Sequence, residues 1–283
     1  MYFTMNASPL FVCTVYAAPL RAVASHRAEQ VSQLLFGETA RLLEEDAQGW
    51  CRVQGTWDGY EGWCRRSMLY PVGAGEARNG GSNIVTNNKG YLQLEDAQEM
   101  MLPPGALLWG LRSGTVQIGP VKGCFRGRRE KLANLLAAPV RPVENALLYR
   151  EAPYVWGGRT PAGIDCSGLV QQAFKLSGQA VPRDAYQQAE VGETVDFLQH
   201  AQSGDIAFFD NDEGRIVHVG LLVDSSHILH ATESSGRTVI DRIDGEGIIS
   251  VHLRKRTHRL RLIRRFFGNS ETQGGTAVQG ALF

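Results

Sequence analysis

Cys166 stands in Asp165-Cys166-Ser167-Gly168, and two histidines follow it in apolar runs, His218 in Ile216–Val223 and His230 in Ile228–Ala231. The residues from Cys166 to Phe174 pattern as a helix after a glycine-rich loop. That puts the thiol at a helix start, where unpaired backbone N–H groups favour an anion and would lower its pKa. His218 reads as a buried strand residue and His230 as its neighbour on the next strand. A nucleophile on a helix start, a base on one strand and an orienting group beside it form the logic of a cysteine hydrolase. In that arrangement Cys166 attacks a carbonyl. His218 partners the thiolate and protonates the leaving amine, and His230 fixes the His218 ring.

Each residue also has a plainer reading. Cys166 could be a small packed hydrophobe. His218 could be a satisfied core histidine, and His230 a structural hydrogen-bonding group. Asp165 suits a helix N-cap, and Ser167 a first-turn residue. Arg183 and Asp184 could only shape a turn after Pro182. His26, His200, His227, His252 and His258 lack comparable context and read as surface or structural.

The elements that must position these groups follow from hydrophobic pattern. Helical periodicity is expected at Arg128–Ala137 and Val143–Arg150, broken by Pro139 and Pro142. After the Cys166 helix come strands at Gly204–Phe209, Val217–Val223, His227–Ala231, Thr238–Arg242 and Arg259–Phe267. The second and third form a hairpin across Asp224-Ser225-Ser226. Helices followed by a run of strands define an α+β domain over residues 128–267. Upstream, residues 10–72 carry short β-rich runs separated by Gly, Asp and Glu clusters, a small barrel pattern. Pro71–Glu76 and Asn79–Ser82 read as a linker. Residues 80–127 form a second, smaller β domain. Residues 268–283, rich in Gly, Ser, Thr and Gln, read as a disordered tail.

Composition limits the function. Lys plus Arg and Asp plus Glu both number 29, so the net charge is zero. That argues against nucleic acid or a membrane surface as partner. No apolar stretch is long enough for a membrane span. The five cysteines show no CxxC pairing, hence no disulfide framework and no metal-ligand spacing. Neither a metal nor another cofactor is expected. Unpaired cysteines suit a reducing, cytoplasmic setting. The apolar stretch near the N-terminus lacks a basic leader and has Arg21 near its end. It reads as a first strand, Phe11–Ala17, not a secretory signal.

Six motifs occur in order: Tyr154-Val-Trp-Gly-Gly, Asp165-Cys-Ser-Gly, Pro182-Arg-Asp, Gly204-Asp-Ile-Ala-Phe-Phe, His218-Val-Gly and His230-Ala. The chain thereby resembles the NlpC-type cell-wall cysteine peptidases, in the branch with N-terminal bacterial SH3-like domains that act as γ-D-glutamyl-L-diamino-acid endopeptidases. The resemblance implies a papain-like core without metal and Cys166, His218 and His230 as the triad. It implies Tyr154 as an oxyanion donor beside the Cys166 N–H. It gives Asp165 and Ser167 a place at the substrate amine, and Arg183 and Asp184 a place at the cleft. Asp58-Gly-Tyr-Glu-Gly-Trp63 resembles a segment whose tyrosine reaches into the active site of this branch, where the first SH3-like domain walls off one end of the cleft. Tyr60 is that candidate; a barrel-packing tyrosine is the alternative. Some relatives carry an amine-pairing glutamate where this chain has Val31. Glu29, two residues earlier and on the same strand face, is the candidate substitute. The implied substrate is a peptidoglycan stem peptide with a free N-terminal L-Ala. An amidase or acyltransferase on the same core, or a non-catalytic wall-binding protein, would share parts of this pattern.

Overall fold

The protein is described here by a computed structural model covering residues 9–137 and 140–267. The 268–283 segment read as a tail lies outside the described residues, as does Pro139. Two compact units divide near Leu132.

In the first unit, seven strands lie in the order 30–35, 17–21, 61–65, 50–55, 39–45, 10–13 and 69–72. Alternate side chains turn inward. Phe11, Cys13, Leu20, Leu34, Cys51, Val53 and Cys64 thus meet in one apolar core. The strand expected from Phe11 to Ala17 is two strands, Leu10–Cys13 and Ala17–Arg21. Pro19 is tolerated in the second because that strand pairs with 61–65 only at Arg21↔Trp63. The expected linker is a strand end, Leu69–Val72, followed by the helix Ala74–Asn79. Glu76 closes that helix start by accepting from the Gly73 N–H at 2.8 Å.

Residues 83–131 add a four-stranded sheet, in the order 99–102, 90–94, 121–126 and 115–118, and a three-stranded one, 107–108, 83–85 and 129–131. Their core takes in Val12 and Phe36 together with Val85, Leu92, Trp109 and Phe125. The Trp109 indole donates to the Gly37 carbonyl at 2.8 Å. The helix expected from Arg128 begins only at Leu132, because Arg129–Lys131 pairs antiparallel with Asn83–Val85. Backbone pairing there overrides helical propensity.

The second unit begins with short helices. Pro142 opens the helix Pro142–Ala146 at its first turn, where its missing N–H costs nothing, so it starts this helix instead of breaking it. A 3₁₀ turn, Leu147–Tyr149, follows. The Cys166–Lys175 helix is buried along its whole length. It packs on the strand Ile216–Asp224. That strand belongs to a sheet ordered 255–265, 206–210, 216–224, 227–232, 237–244 and 247–250, with 193–194 on the outer edge. The last-named strand, Gly247–Ser250, pairs back on Lys255–Arg265, which closes the sheet into a six-stranded barrel. Closure removes both edges of the main sheet. Ala207, Phe209, Leu222, Ile228, Ile243, Ile248 and Ile263 fill its core.

Candidate active site

Strand alternation places His218 on the face of Leu222, His230 on that of Ile228 and Asp241 on that of Ile243. Those three apolar residues belong to the barrel core. The barrel therefore carries a polar file among its apolar contents: His218, His230 and Asp241 are each buried, with exposures of 5%, 0% and 2%. Burial is tolerable only because the groups bond one another. His218 Nε2 lies 2.8 Å from His230 Nδ1. His230 Nε2 lies 3.3 Å from Asp241 Oδ2. Asp241 Oδ1 accepts from the Val251 N–H at 2.8 Å. Burial works to raise the Asp241 pKa, but bonds from His230, Val251 and Ser250 outweigh it and hold the carboxyl below its usual value. Gly220 makes the close approach possible: a Cβ there would sit 2.9 Å from the His230 Cβ. This is the physical content of His218-Val-Gly220.

Cys166 occupies the first position of its helix, as expected, with Asp165 as N-cap. Its sulfur sits against the backbone of Val219, the residue after His218, and against that of Ser167. The packing of helix on strand thus brings the thiol beside the His218 segment. The expected fall in thiol pKa is not what the surroundings give. Burial, then the Asp165 charge, push the thiol up to about 12, against the opposing pull of the Val219 and Ser167 backbone and of Arg183. Burial is the larger cause, and the cap adds to it. Asp165 already supplies an anion to the helix start, its Oδ1 accepting from the Gly168 N–H at 2.6 Å. His218 moves the other way. Burial, with His258 and His230 nearby, lowers its pKa well below 6.5. Both shifts lean toward the uncharged forms, thiol and neutral imidazole.

Asp165 was expected at the substrate amine. Its carboxylate is occupied: Oδ2 accepts from the Gly157 N–H at 2.8 Å and from Arg183 Nη2 at 2.6 Å. Arg183 Nη1 reaches Oδ1 at 3.0 Å and Ser167 Oγ at 2.8 Å. Asp165, Ser167 and Arg183 form a buried cluster that fastens the glycine loop to the helix. Gly168 lets loop and helix meet, since a Cβ there would lie 2.4 Å from the Gly158 carbonyl oxygen. Asp184, the next residue, is partly exposed and caps the short helix Ala185–Gln188.

Tyr154 is half-buried, its backbone N–H bonded to the Gly236 carbonyl at 2.8 Å. Burial raises its phenol pKa, with Cys166 and Asp165 nearby adding to the rise, so the hydroxyl keeps its proton and remains a donor. Tyr60 and Glu29 lie in the first unit. Tyr60 ends the turn before strand Glu61–Arg65 and is partly exposed. Glu29 precedes the strand Gln30–Leu35 and is exposed. The pairing Leu20↔Ser32 followed by Arg21↔Gln30 makes Val31 a bulge residue, so simple alternation no longer puts Glu29 on the face of Val31.

Two members of the cluster escaped the sequence analysis. Asp241 gave no signal beyond its place in a β-rich run. His258, read as surface or structural, stacks face to face on His218, with ring centroids 4.0 Å apart and planes at 22°. Its strand is irregular on both sides, at Thr257 and near Arg261, which aims the ring inward. Burial and His230 lower the His258 pKa to about 4. Among the described residues no group of three or more His, Cys, Asp or Glu is arranged to hold a metal ion. Nor is any helix there long and apolar enough to cross a membrane.

Residues 151–257 match the NlpC/P60 family, and residues 20–69 match the bacterial dipeptidyl-peptidase Sh3 domain. The chain therefore carries an NlpC/P60 domain, of cysteine-peptidase type, behind an SH3-like N-terminal domain. Among curated relatives, the dipeptidyl-peptidase 6 of Lysinibacillus sphaericus is 27% identical over 267 residues, covering 85% of this chain and 92% of the relative. The gamma-D-glutamyl-L-lysine dipeptidyl-peptidase of Bacillus subtilis (strain 168) is 38% identical over 94 residues, 32% of this chain and 31% of the relative. The chain thus spans under a third of that second protein. An NlpC/P60 family protein from Bacillus cereus ATCC 10987 shares the fold at a TM-score of 0.77 and 18% identity, over 91% of this chain and 99% of that one.

Proposed function

We propose that this chain is a cysteine endopeptidase that hydrolyses the γ-D-glutamyl bond to the diamino acid in peptidoglycan stem peptides. The observation that carries the reading is the Cys166 sulfur beside the backbone of Val219, the residue after His218, together with the His218–His230 bond. The names of the Bacillus and Lysinibacillus relatives support the substrate class. The core that performs the reaction is papain-like, a helix-borne thiol against a histidine-bearing barrel.

Cys166 Sγ attacks the scissile carbonyl. Because Nε2 of His218 is engaged by His230, Nδ1 is the nitrogen that takes the thiol proton. With a neutral resting pair, transfer accompanies attack. The oxyanion collects donors from the Cys166 N–H at the helix start and from the Tyr154 hydroxyl. His218 then protonates the leaving amine, and water hydrolyses the thioester by the reverse relay.

Substrate recognition is part of the same proposal. A free N-terminal amine needs a carboxylate. Asp165, beside the nucleophile, is the carboxylate proposed for that role; Arg183 and two backbone N–H groups hold it in place. Such an enzyme would recycle freed stem peptides, and its site of action would be the cytoplasm. The test is turnover of defined stem peptides by the wild-type protein and by Cys166→Ala. Loss of hydrolysis by about three orders of magnitude or more in a folded variant is expected. Retained turnover would overturn the cysteine mechanism.

A further inference from the structure

We propose that Asp241 is a positioning residue that sets the proton direction of the whole relay, so that His218 presents its basic nitrogen to Cys166. The inference rests on the reading of Cys166 and His218 as nucleophile and base.

The relay is anchored at its far end. Asp241 is fixed by the Val251 N–H on Oδ1 at 2.8 Å, and its other oxygen faces His230 Nε2 at 3.3 Å. An ionised carboxylate has only acceptors to offer. His230 Nε2 must therefore carry a hydrogen. For the ring with one N–H, the form the relay requires, His230 Nδ1 is then an acceptor. The atom 2.8 Å from it, His218 Nε2, must be the donor. By the same count His218 Nδ1 carries no hydrogen. That bare nitrogen is the one a thiol proton can enter. Each step is forced by the previous one, and the only fixed charge in the series is Asp241.

The same geometry holds when His218 becomes protonated during catalysis. Its Nε2–H then still points at His230 Nδ1, and the Asp241 charge opposes the new positive charge through one intervening ring. A histidine in third place can bond in either direction, unlike an aspartate. Asp241, on the Nε2 side of His230, is the group that chooses between the two directions. The other titratable ring against the pair, His258, stacks on the face of His218 and does not meet its Nε2 edge.

Asp241→Asn separates this role from a structural one. The Val251 N–H holds the amide oxygen where Oδ1 now sits, so the NH₂ group faces His230 Nε2. That nitrogen must then accept, His230 Nδ1 must donate, and His218 is driven to the tautomer with a hydrogen on Nδ1. The near-isosteric Asn variant should lose about 10²- to 10⁴-fold in kcat with little change in KM. Asp241→Ala, which leaves room for water and forces no tautomer, should lose less. A merely structural aspartate gives the reverse order, with Asn the milder change, and that result would overturn the proposal. In the wild-type protein, ¹⁵N NMR of the His218 ring should show Nδ1 without a hydrogen and Nε2–H; the opposite assignment would also overturn it. This measurement stands even if a variant fails to fold. If Cys166→Ala stays active, the cysteine reading itself falls. If Cys166→Ala is inert while Asp241→Asn keeps wild-type kcat, only the role of Asp241 falls.

Discussion

Cys166 and His218 move in opposite directions from their ordinary pKa values, and both moves favour the uncharged form. The consequence is visible in solution. Alkylation of Cys166 by iodoacetamide should climb with pH through the alkaline range as the thiolate fraction grows toward a pKa of about 12. A thiolate–imidazolium pair would instead give a plateau from acidic pH upward, and that profile would contradict the neutral resting state. His218 moves protons, whereas His230 only directs a hydrogen bond. His230→Gln should therefore keep more turnover than His218→Ala. His258 offers its flat face to His218, so His258→Phe should stay near wild-type kcat. His258→Leu fills the space without a face and should lose about ten- to a hundredfold through a loosened ring. Equal kcat for the two variants would reduce the stack to packing.

At the scale of elements, the site is a helix start held against one strand of a closed barrel. The fastening is the Asp165–Arg183 pair, with side-chain exposures of 6% and 1%. Removing one partner strands a buried charge, so Arg183→Met should destabilise the fold by about 3–5 kcal/mol in denaturant unfolding. A loss below about 1 kcal/mol, that of an exposed pair, would show the cluster is not what secures the loop. The helix, the hairpin 216–232 and the strand positions of His218 and His230 were legible because local pattern decides them. The helix needs a cap and an apolar run, and the hairpin needs two apolar runs and an Asp-Ser turn. His258 and Asp241 were not legible. Their place depends on barrel closure, in which Gly247–Ser250 pairs back on Lys255–Arg265, and on bulges that change which face a residue takes. Glu29 does not share the face of Val31 by simple alternation for the same reason, a bulge in the strand pairing. The helix expected from Arg128 failed because pairing with Asn83–Val85 is non-local. The thiol pKa was misjudged because the motif shows neither the full burial of the thiol nor that the Asp165 carboxylate already occupies the helix start.

At the scale of the molecule, an SH3-like unit precedes a peptidase domain. The proposed recycling role requires a substrate with a free N-terminus. N-acetylation of the tripeptide L-Ala-γ-D-Glu-diamino acid removes a charge-assisted contact worth about 2–5 kcal/mol, so kcat/KM should fall by tens- to thousands-fold. Equal values for free and acetylated peptide would make the enzyme a wall-remodelling hydrolase instead. The central claim is tested most directly by mass spectrometry of the products from a defined stem peptide. The account predicts a single cut that releases the dipeptide L-Ala-γ-D-Glu and a fragment beginning with the diamino acid, and no cut with Cys166→Ala. Cleavage at another bond, transfer of the acyl group to an added amine in place of water, or the same cut by Cys166→Ala would contradict it.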